Sequence, residues 1–544
     1  MNFSKEQQAA ISHLSGPALV LAGPGSGKTC VIIQRLFSIL EKHPNTKIIS
    51  ITFSKATAQE MQQRFDDLTD KRYSNVYFST MHSLCFSILK KSCDSSHLPK
   101  LIDSEKEMII KEIYYKVNSY DSVFPDMKLL INSISRLKNN QDTFNPNSVQ
   151  IKNFMKIYML YEKHKKVNNL IDYDDMIFYA HNILKNNSEE KFYWRKQYDF
   201  IQVDEAQDFT KIQFEIVKQL SSVENNVFIV ADDDQSIYGF RGAQPSCLFN
   251  FTEQNPLCKK YYLGNNYRCA PNIVFLASNI IKNNQTRFEK NFIAIKNQVG
   301  KIKILHAKNT CRQAEFICQT IKKEHYNEKV GILYRNNDSV LPLIVAFLHY
   351  GVAFKISADR FPISHTYIDY FLRECIRFRQ KKDKPLTLFY RIINNGFISN
   401  YMSTKGSSSH VADTMETTLN FMHTICYFSD SYKDIFTFVE RVKTIFDNKK
   451  YATFSFESNI FLSTIHSVKG LEYDSVFLID LNKDKFPGKS SVTGELLEEE
   501  RRLYYVAITR AKKTLYLMYT EKNEIKQQEE SIFITESRQV LKGV

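Results

Sequence analysis

Short apolar runs recur along the chain, and each gives way to a polar or glycine-rich stretch. Leu19-Val20-Leu21, Phe200-Ile201-Gln202-Val203, Val227 to Val230 and Val330-Gly331-Ile332-Leu333-Tyr334 read as strands buried on both faces, the kind found in open α/β sheets. Elsewhere the apolar residues return at helical spacing, as in Val31, Ile32, Leu36 and Phe37, or Ile109, Ile110, Ile113 and Tyr114, which predicts amphipathic helices. No apolar run approaches the roughly 18 residues needed to span a membrane. The first residues, Met1 to Gln8, carry no apolar signal core. At 544 residues the chain exceeds what one core organises, so three or four domains or subdomains are expected.

The segments at the carboxyl ends of these strands are more informative than the strands themselves. Ala22-Gly23-Pro24-Gly25-Ser26-Gly27-Lys28-Thr29 stands between the first strand and the helix predicted from Val31 onward. That is a phosphate-binding loop in its required context: glycines let backbone N–H groups approach phosphate, Lys28 supplies a point charge, and Thr29 can ligate Mg2+. The Phe200 run ends at Asp204-Glu205. Paired carboxylates at a strand end suit Asp204 to the metal shell and Glu205 to the attacking water. The Val227 run leads into Asp232-Asp233-Asp234-Gln235-Ser236-Ile237-Tyr238-Gly239-Phe240-Arg241-Gly242-Ala243. There Gln235 is a candidate phosphate sensor, a few residues from Tyr238 and Phe240, a candidate stacking platform for bases.

Charge changes the picture of the partner. With 73 Lys and Arg against 59 Asp and Glu, the formal net charge is +14, which favours a polyanion such as nucleic acid. Ten cysteines are scattered without CxxC pairs or a Cys/His cluster, so no zinc or iron–sulfur site is expected and reduced thiols of a cytoplasmic protein fit.

With these motifs in order, the chain resembles the UvrD/Rep/PcrA family of superfamily 1 DNA helicases, from about Phe3 to about Leu517. Glu6-Gln7-Gln8-Ala9-Ala10-Ile11 is similar to the family's Q motif, in which Gln7 would read the adenine edge. Thr52-Phe53-Ser54-Lys55-Ala56 and Ser79-Thr80-Met81-His82-Ser83 resemble its DNA-contacting motifs, with Phe53 and His82 on the strand. Leu263-Gly264-Asn265-Asn266-Tyr267-Arg268 resembles the fourth motif, where Tyr267 would stack on adenine and Arg268 would reach the γ-phosphate. Ser463-Thr464-Ile465-His466-Ser467-Val468-Lys469-Gly470-Leu471-Glu472-Tyr473 resembles the fifth, with Glu472 toward the ribose and Thr464 and His466 toward DNA. Glu499-Glu500-Arg501-Arg502-Leu503-Tyr504-Tyr505-Val506-Ala507-Ile508-Thr509-Arg510-Ala511 resembles the sixth, with Arg510 as arginine finger. Arg501 and Arg502 suit helix salt bridges as well as phosphate. Four positions depart from the pattern: Cys30 replaces an arginine, Ala206 a tyrosine, Ala231 a glycine, and Phe240 the tryptophan of many members.

The resemblance implies two RecA-like α/β motor domains with parallel sheets, each carrying an inserted mainly helical subdomain. The boundaries expected are 1–89 with 192–269 for the first motor, 90–191 for its insertion, 270–375 with 456–544 for the second motor, and 376–455 for a shortened outer insertion. The first insertion ends near Leu170-Ile171-Asp172-Tyr173-Asp174-Asp175-Met176-Ile177, itself a family-like element, and Arg335-Asn336 after the Val330 strand are candidate DNA contacts. The outer insertion opens with Arg377, Arg379, Lys381, Lys382 and Lys384. Its aromatics Phe421, Tyr427, Phe428, Tyr432, Phe436 and Phe438 fall at helical spacing and are expected as core. Gly406-Ser407-Ser408-Ser409 is linker-like, and Val544 comes too soon after the sixth motif to leave room for a fused nuclease.

The expected activity is ATP-dependent, Mg2+-assisted helicase or translocase action on single-stranded DNA and its junctions with duplex. The resemblance implies 3′ to 5′ polarity and a place in repair, replication or anti-phage defence. The short outer segment motivates a second reading, a DNA-stimulated ATPase module that works with a partner nuclease or repair protein; a monomer is the default expectation, an oligomer within a complex the alternative. A P-loop enzyme of small molecules would leave the aromatic and basic features unused.

Overall fold

The apolar strands pair in parallel, and the chain builds two such sheets in separate compact units, Met1–Tyr267 with Arg287–Asn291, and Arg268–Thr286 with Phe292–Val544. The computed structural model describes residues 3–93, 98–119, 125, 127–140, 144–222, 224–325, 327–357, 373–378, 384–395, 409–429, 458–489, 491, 493–522 and 527–542.

The first unit holds strands β1 (Ala18–Ala22), β2 (Ile48–Thr52), β3 (Val76–Thr80), β4 (Phe200–Val203), β5 (Val227–Ala231) and β6 (Lys259–Leu263), in spatial order β3-β2-β4-β5-β1-β6. All pairs are parallel, with Val20 opposite Val230 and Ile51 opposite Val203. Alternation along β1 explains its two packing faces. Ala18, Val20 and Ala22 meet Val31, Ile32 and Leu36 of helix Lys28–Lys42 in one core cluster. Leu19 and Leu21 share another with the helices Met81–Ser92, Tyr173–Asn186 and Lys211–Leu220.

The helices Lys106–Asn118, Met127–Asn139 and Phe154–Val167 form a separate core around Ile110, Ile113, Leu130, Ile134, Ile157 and Tyr161. The lysines buried beside it are paired, as a buried ammonium must be. Lys165 lies 2.6 Å from Asp175 and 2.8 Å from Glu162, Lys106 lies 3.0 Å from Asp172, and Lys138 bonds both Glu162 and Asp175. Burial pushes the Asp172 carboxyl up, but Lys106, Lys165 and Lys138 hold it well below the usual range.

The second unit holds β7 (Lys301–Ala307), β8 (Val330–Tyr334), β9 (Lys355–Ser357), β10 (Ile460–Thr464), β11 (Tyr473–Leu478) and β12 (Ala511–Thr520), in order β7-β12-β11-β8-β10-β9. All of its pairs are also parallel. The helices Pro385–Asn394 and Ser409–Phe428 come from the segment expected as an outer subdomain. Among the described residues they have no core of their own. Leu388, Phe389, Ile392, Phe421, Met422, Ile425 and Phe428 join Ile332, Ile344 and Phe347 in the core of the second sheet, and Tyr427 packs against it. Arg377 and Lys384 of the basic stretch are exposed. Arg379, Lys381, Lys382, Gly406 to Ser408, Tyr432, Phe436 and Phe438 lie outside the described residues.

Gly331 sits at the centre of this sheet because a Cβ there would stand 2.7 Å from Cδ2 of Tyr473. Gly331→Ala is therefore expected to destabilise the second unit by about 1–3 kcal/mol, as overpacking does. A thermal melt unchanged from wild type would show that Tyr473 can yield.

Candidate nucleotide and DNA-strand sites

Strands β4, β5 and β1 are neighbours, so the segments leaving their carboxyl ends converge where open α/β sheets bind ligands. From β1 comes the loop Gly23 to Thr29. Gly25 and Gly27 have φ of 69° and 80°, and a Cβ on Gly27 would lie 2.9 Å from Gln7 Nε2. Helix Lys28–Lys42 starts directly after Gly27, which gives no side-chain cap. Its first N–H groups thus form an anion site. Ser26 Oγ braces the loop by donating to the Gly23 carbonyl (2.8 Å), and Thr29 is half-buried at the helix start. Lys28 Nζ lies 3.3 Å from Glu205 Oε1.

From β4 come the carboxylates. Asp204 is buried and its Oδ1 accepts the Glu205 N–H (2.9 Å), while Glu205 adopts a left-handed φ of 53°. Gln207 bridges to the next segment: its Nε2 donates to Glu205 Oε2, and its Oε1 accepts the Asp232 N–H (3.0 Å). Gln235 Nε2 then donates to Asp232 Oδ2 (2.6 Å). Lys28, Glu205, Gln207, Asp232 and Gln235 are thereby linked by one ion pair and three successive hydrogen bonds. A lysine beside hard oxygen ligands at an uncapped helix N-terminus fits Mg-ATP.

Two residues expected near adenine are attached to the same loop. Gln7 Oε1 accepts the Ser4 N–H (2.9 Å) and its Nε2 donates to the Ser26 carbonyl (2.9 Å). Gln7 is therefore a cap and a loop brace here, its amide already engaged. Tyr267 N–H donates to the Gly25 carbonyl (2.9 Å), beside the Asn266 Nδ2 bond to the Pro24 carbonyl (2.7 Å), and its side chain is exposed.

Aromatic residues from two separate segments come together. Phe53 and Tyr238 stack at 5.0 Å and 16°, Phe240 lies 6.0 Å from Tyr238, and Arg241 covers both of the latter rings at 5.5 and 5.6 Å. His82 stands edge-on to Tyr173 at 5.4 Å. Burial pulls its pKa down, opposed by Asp174 and aided by Arg241.

In the second unit the predicted residues separate to opposite ends of the sheet. Arg335 comes directly after β8 and Thr464 closes β10, its neighbour, at the carboxyl end. Arg335 is not a free strand contact: its Nη2 and Nε hold Glu500 at 2.7 and 3.1 Å. Thr464 Oγ1 bonds Ser467 Oγ (2.9 Å), and His466 is half-buried in the turn Ile465–Val468. Glu472 and Arg510 immediately precede β11 and β12, at the amino end. Arg510 is 1% exposed and donates to the carbonyls of Val506 (3.0 Å) and Leu471 (3.1 Å). Glu472 receives Arg268 Nε (2.8 Å) and Lys512 Nζ (2.6 Å). Burial raises the Glu472 pKa, but Lys512 and Arg268 hold it below the usual carboxylate range. Arg501 pairs with Glu536 of the helix Ile532–Lys542 (2.8 Å), and Arg502 with Glu498 one turn earlier in its own helix (3.3 Å).

Residues 3–256 match the UvrD/REP helicase N-terminal domain, and residues 261–397 and 364–522 match the UvrD-like helicase C-terminal domain. The chain belongs to the UvrD/Rep/PcrA-like helicase family. Its relatives in that family include the ATP-dependent DNA helicase Rep of Buchnera aphidicola, 28% identical over 96% of this chain and 94% of that protein. The ATP-dependent DNA helicases PcrA of Staphylococcus epidermidis and Staphylococcus aureus are each 26% identical, over 95% of this chain and 83% of their own length. The two parallel sheets are its RecA-like motor folds.

Seen as a family member, this helicase repeats one device that motif-by-motif reading passed over. Ser79-Thr80-Met81-His82-Ser83 ends β3 in the first unit and Ser463-Thr464-Ile465-His466-Ser467 ends β10 in the second. Both serines that open the repeat bond the next carbonyl (3.2 and 3.3 Å), and both threonine hydroxyls bond the closing serine (3.0 and 2.9 Å). Sequence reasoning also missed Gln207, Arg287 and Lys290, which hold the residues it did name.

Proposed function

We propose that the chain is an ATP-dependent DNA helicase or translocase that tracks single-stranded DNA in the 3′ to 5′ direction. The observation that carries it is the chain of one ion pair and three hydrogen bonds from Lys28 to Gln235, which ends three residues before Tyr238 of the stacked pair. A phosphate-sensing amide and a base platform on one short loop are what coupling hydrolysis to strand movement requires. Lys28 and the uncapped loop would bind the phosphates, with Gly23, Gly25, Ser26 and Gly27 shaping it. Thr29 and Asp204 would hold Mg2+, which when bound neutralises charge on the β- and γ-phosphates. Glu205 and Gln235 would orient the attacking water, and Arg268 and Arg510 would neutralise charge on the transferring phosphoryl group. Tyr267 is the proposed adenine stack, and Glu472 the ribose contact. Phe53, Tyr238 and Phe240 would stack on bases at about 1–3 kcal/mol each, which suits sequence-tolerant tracking. His82, Thr464 and His466 would touch the strand.

A strand-displacement assay on 3′-tailed and 5′-tailed duplexes, with ATP hydrolysis measured in parallel, tests this reading. Unwinding of the 3′-tailed substrate by the chain alone is the expected result, and unwinding confined to the 5′ tail would overturn the polarity. The outer helices that share the second core favour a second reading, a DNA-stimulated ATPase module acting with a partner nuclease. DNA-stimulated hydrolysis without displacement on either tail would select it.

A further inference from the structure

Three consecutive aspartates in a protein interior need cations, and the first unit takes them from a distant stretch of its chain. Asp232, Asp233 and Asp234 are each 1% exposed or less. Lys290 Nζ lies 2.8 Å from Asp232 Oδ1 and 2.9 Å from Asp234 Oδ2, and it also bonds Asp233. Arg287 grips Asp234 with paired bonds of 2.9 and 2.7 Å, and Phe288 N–H donates to Asp233 Oδ2 (2.8 Å). The Phe288 ring stacks on Phe249 at 4.0 Å and 11°. Arg287–Asn291 is therefore part of the first unit, although the chain on both sides of it belongs to the second.

Asp232 divides its two oxygens between different partners. Oδ1 accepts from Lys290 (2.8 Å) and, over a longer bond, from the Asp234 N–H (3.3 Å), and Oδ2 accepts from the side-chain amide of Gln235. Without Lys290 only the 3.3 Å backbone bond would remain on the Oδ1 side; the short charge-assisted bond to the ammonium is what fixes the carboxylate plane, and with it the amide it holds. The same aspartate gives its N–H to Gln207, which also holds Glu205, so the setting made by Lys290 reaches both groups assigned to the attacking water.

We propose that Lys290, with Arg287, is a positioning residue for Gln235. This rests on Gln235 acting on the bound nucleotide, as proposed above. A merely structural Arg287–Asn291 strap would hold the loop in the fold and leave turnover unaffected once the protein is folded.

The test is a double-mutant cycle on DNA-stimulated ATP hydrolysis with Gln235→Ala, Lys290→Gln and the double variant. Each single change is expected to lower kcat by about tenfold or more with KM for ATP little changed, and the double variant to match Gln235→Ala within about twofold. If Lys290→Gln slows the Gln235→Ala enzyme by the same factor as wild type, Lys290 acts independently and the proposal is overturned. Wild-type kcat for Gln235→Ala would instead remove the assignment of Gln235, and the role of Lys290 with it. Should Lys290→Gln fail to fold, Asp233→Asn combined with Lys290→Gln balances the buried charge. Arg287→Lys keeps the charge without the paired bonds. The same non-additivity is expected of either, and additivity in either overturns the proposal.

Discussion

Glu205→Gln is expected to leave ATP bound and to cut DNA-stimulated turnover by about two orders of magnitude or more, the usual worth of a positioned general base. The amide has nearly the shape of the carboxylate, so the left-handed turn and the Asp204 bond to its N–H should survive. What disappears is the negative charge, which pairs with Lys28 at 3.3 Å and accepts from Gln207. Binding of a fluorescent nucleotide together with phosphate release separates the two effects. Near-wild-type release would mean that another group activates the water, and the role given to Glu205 would be abandoned.

Arg510→Lys is expected to lower turnover by about a thousandfold, within the range that arginine fingers contribute to phosphoryl transfer. Charge is retained, so the loss would report geometry. A guanidinium donates along several fixed directions at once, and Arg510 uses two of them on the Val506 and Leu471 carbonyls. Lysine can satisfy those carbonyls only by giving up its reach, so some loss of thermal stability is also expected. A lower melting temperature with unchanged kcat would assign Arg510 to packing alone. Equal kcat losses in Arg510→Lys and Arg268→Lys, with ATP binding retained, would support a shared role on the phosphoryl group.

Much of the nucleotide end was legible because its signals are local. A strand, a glycine loop and a helix in immediate succession can be read from fewer than thirty residues, and the carboxylates and Gln235 each come directly after their own strand. The parallel order that places β4, β5 and β1 side by side brings those separately read segments together into one candidate site. Interactions between distant residues were not legible. Nothing near Arg335 announces that Glu500 will take its guanidinium, so a residue read as a DNA contact has a carboxylate to exchange first. Gln7 carries a local clue, since Ser4 stands three residues before it as in a capping box, and the amide is occupied accordingly. The strap was invisible because Arg287 and Lys290 lie in an unremarkable polar stretch. The one clue was on the other side, in three adjacent aspartates placed directly after a buried strand. The aromatics Phe421, Tyr427 and Phe428 were recognisable as packing residues, but their periodicity says nothing about which core they join, and they join that of the second sheet.

The stretch Ile465 to Glu472 runs from the carboxyl end of β10 to the amino end of β11. It carries the His466 turn at its start and the Arg268 and Lys512 partner at its close. One short covalent path thus joins the residues proposed to touch DNA to the one proposed to touch the nucleotide. Linkage then fixes a symmetry that holds for equilibrium binding whatever the motor's direction: the factor by which bound DNA changes affinity for the nucleotide must equal the factor by which the nucleotide changes affinity for DNA. Two titrations, each run with and without the other ligand, must close on a single number.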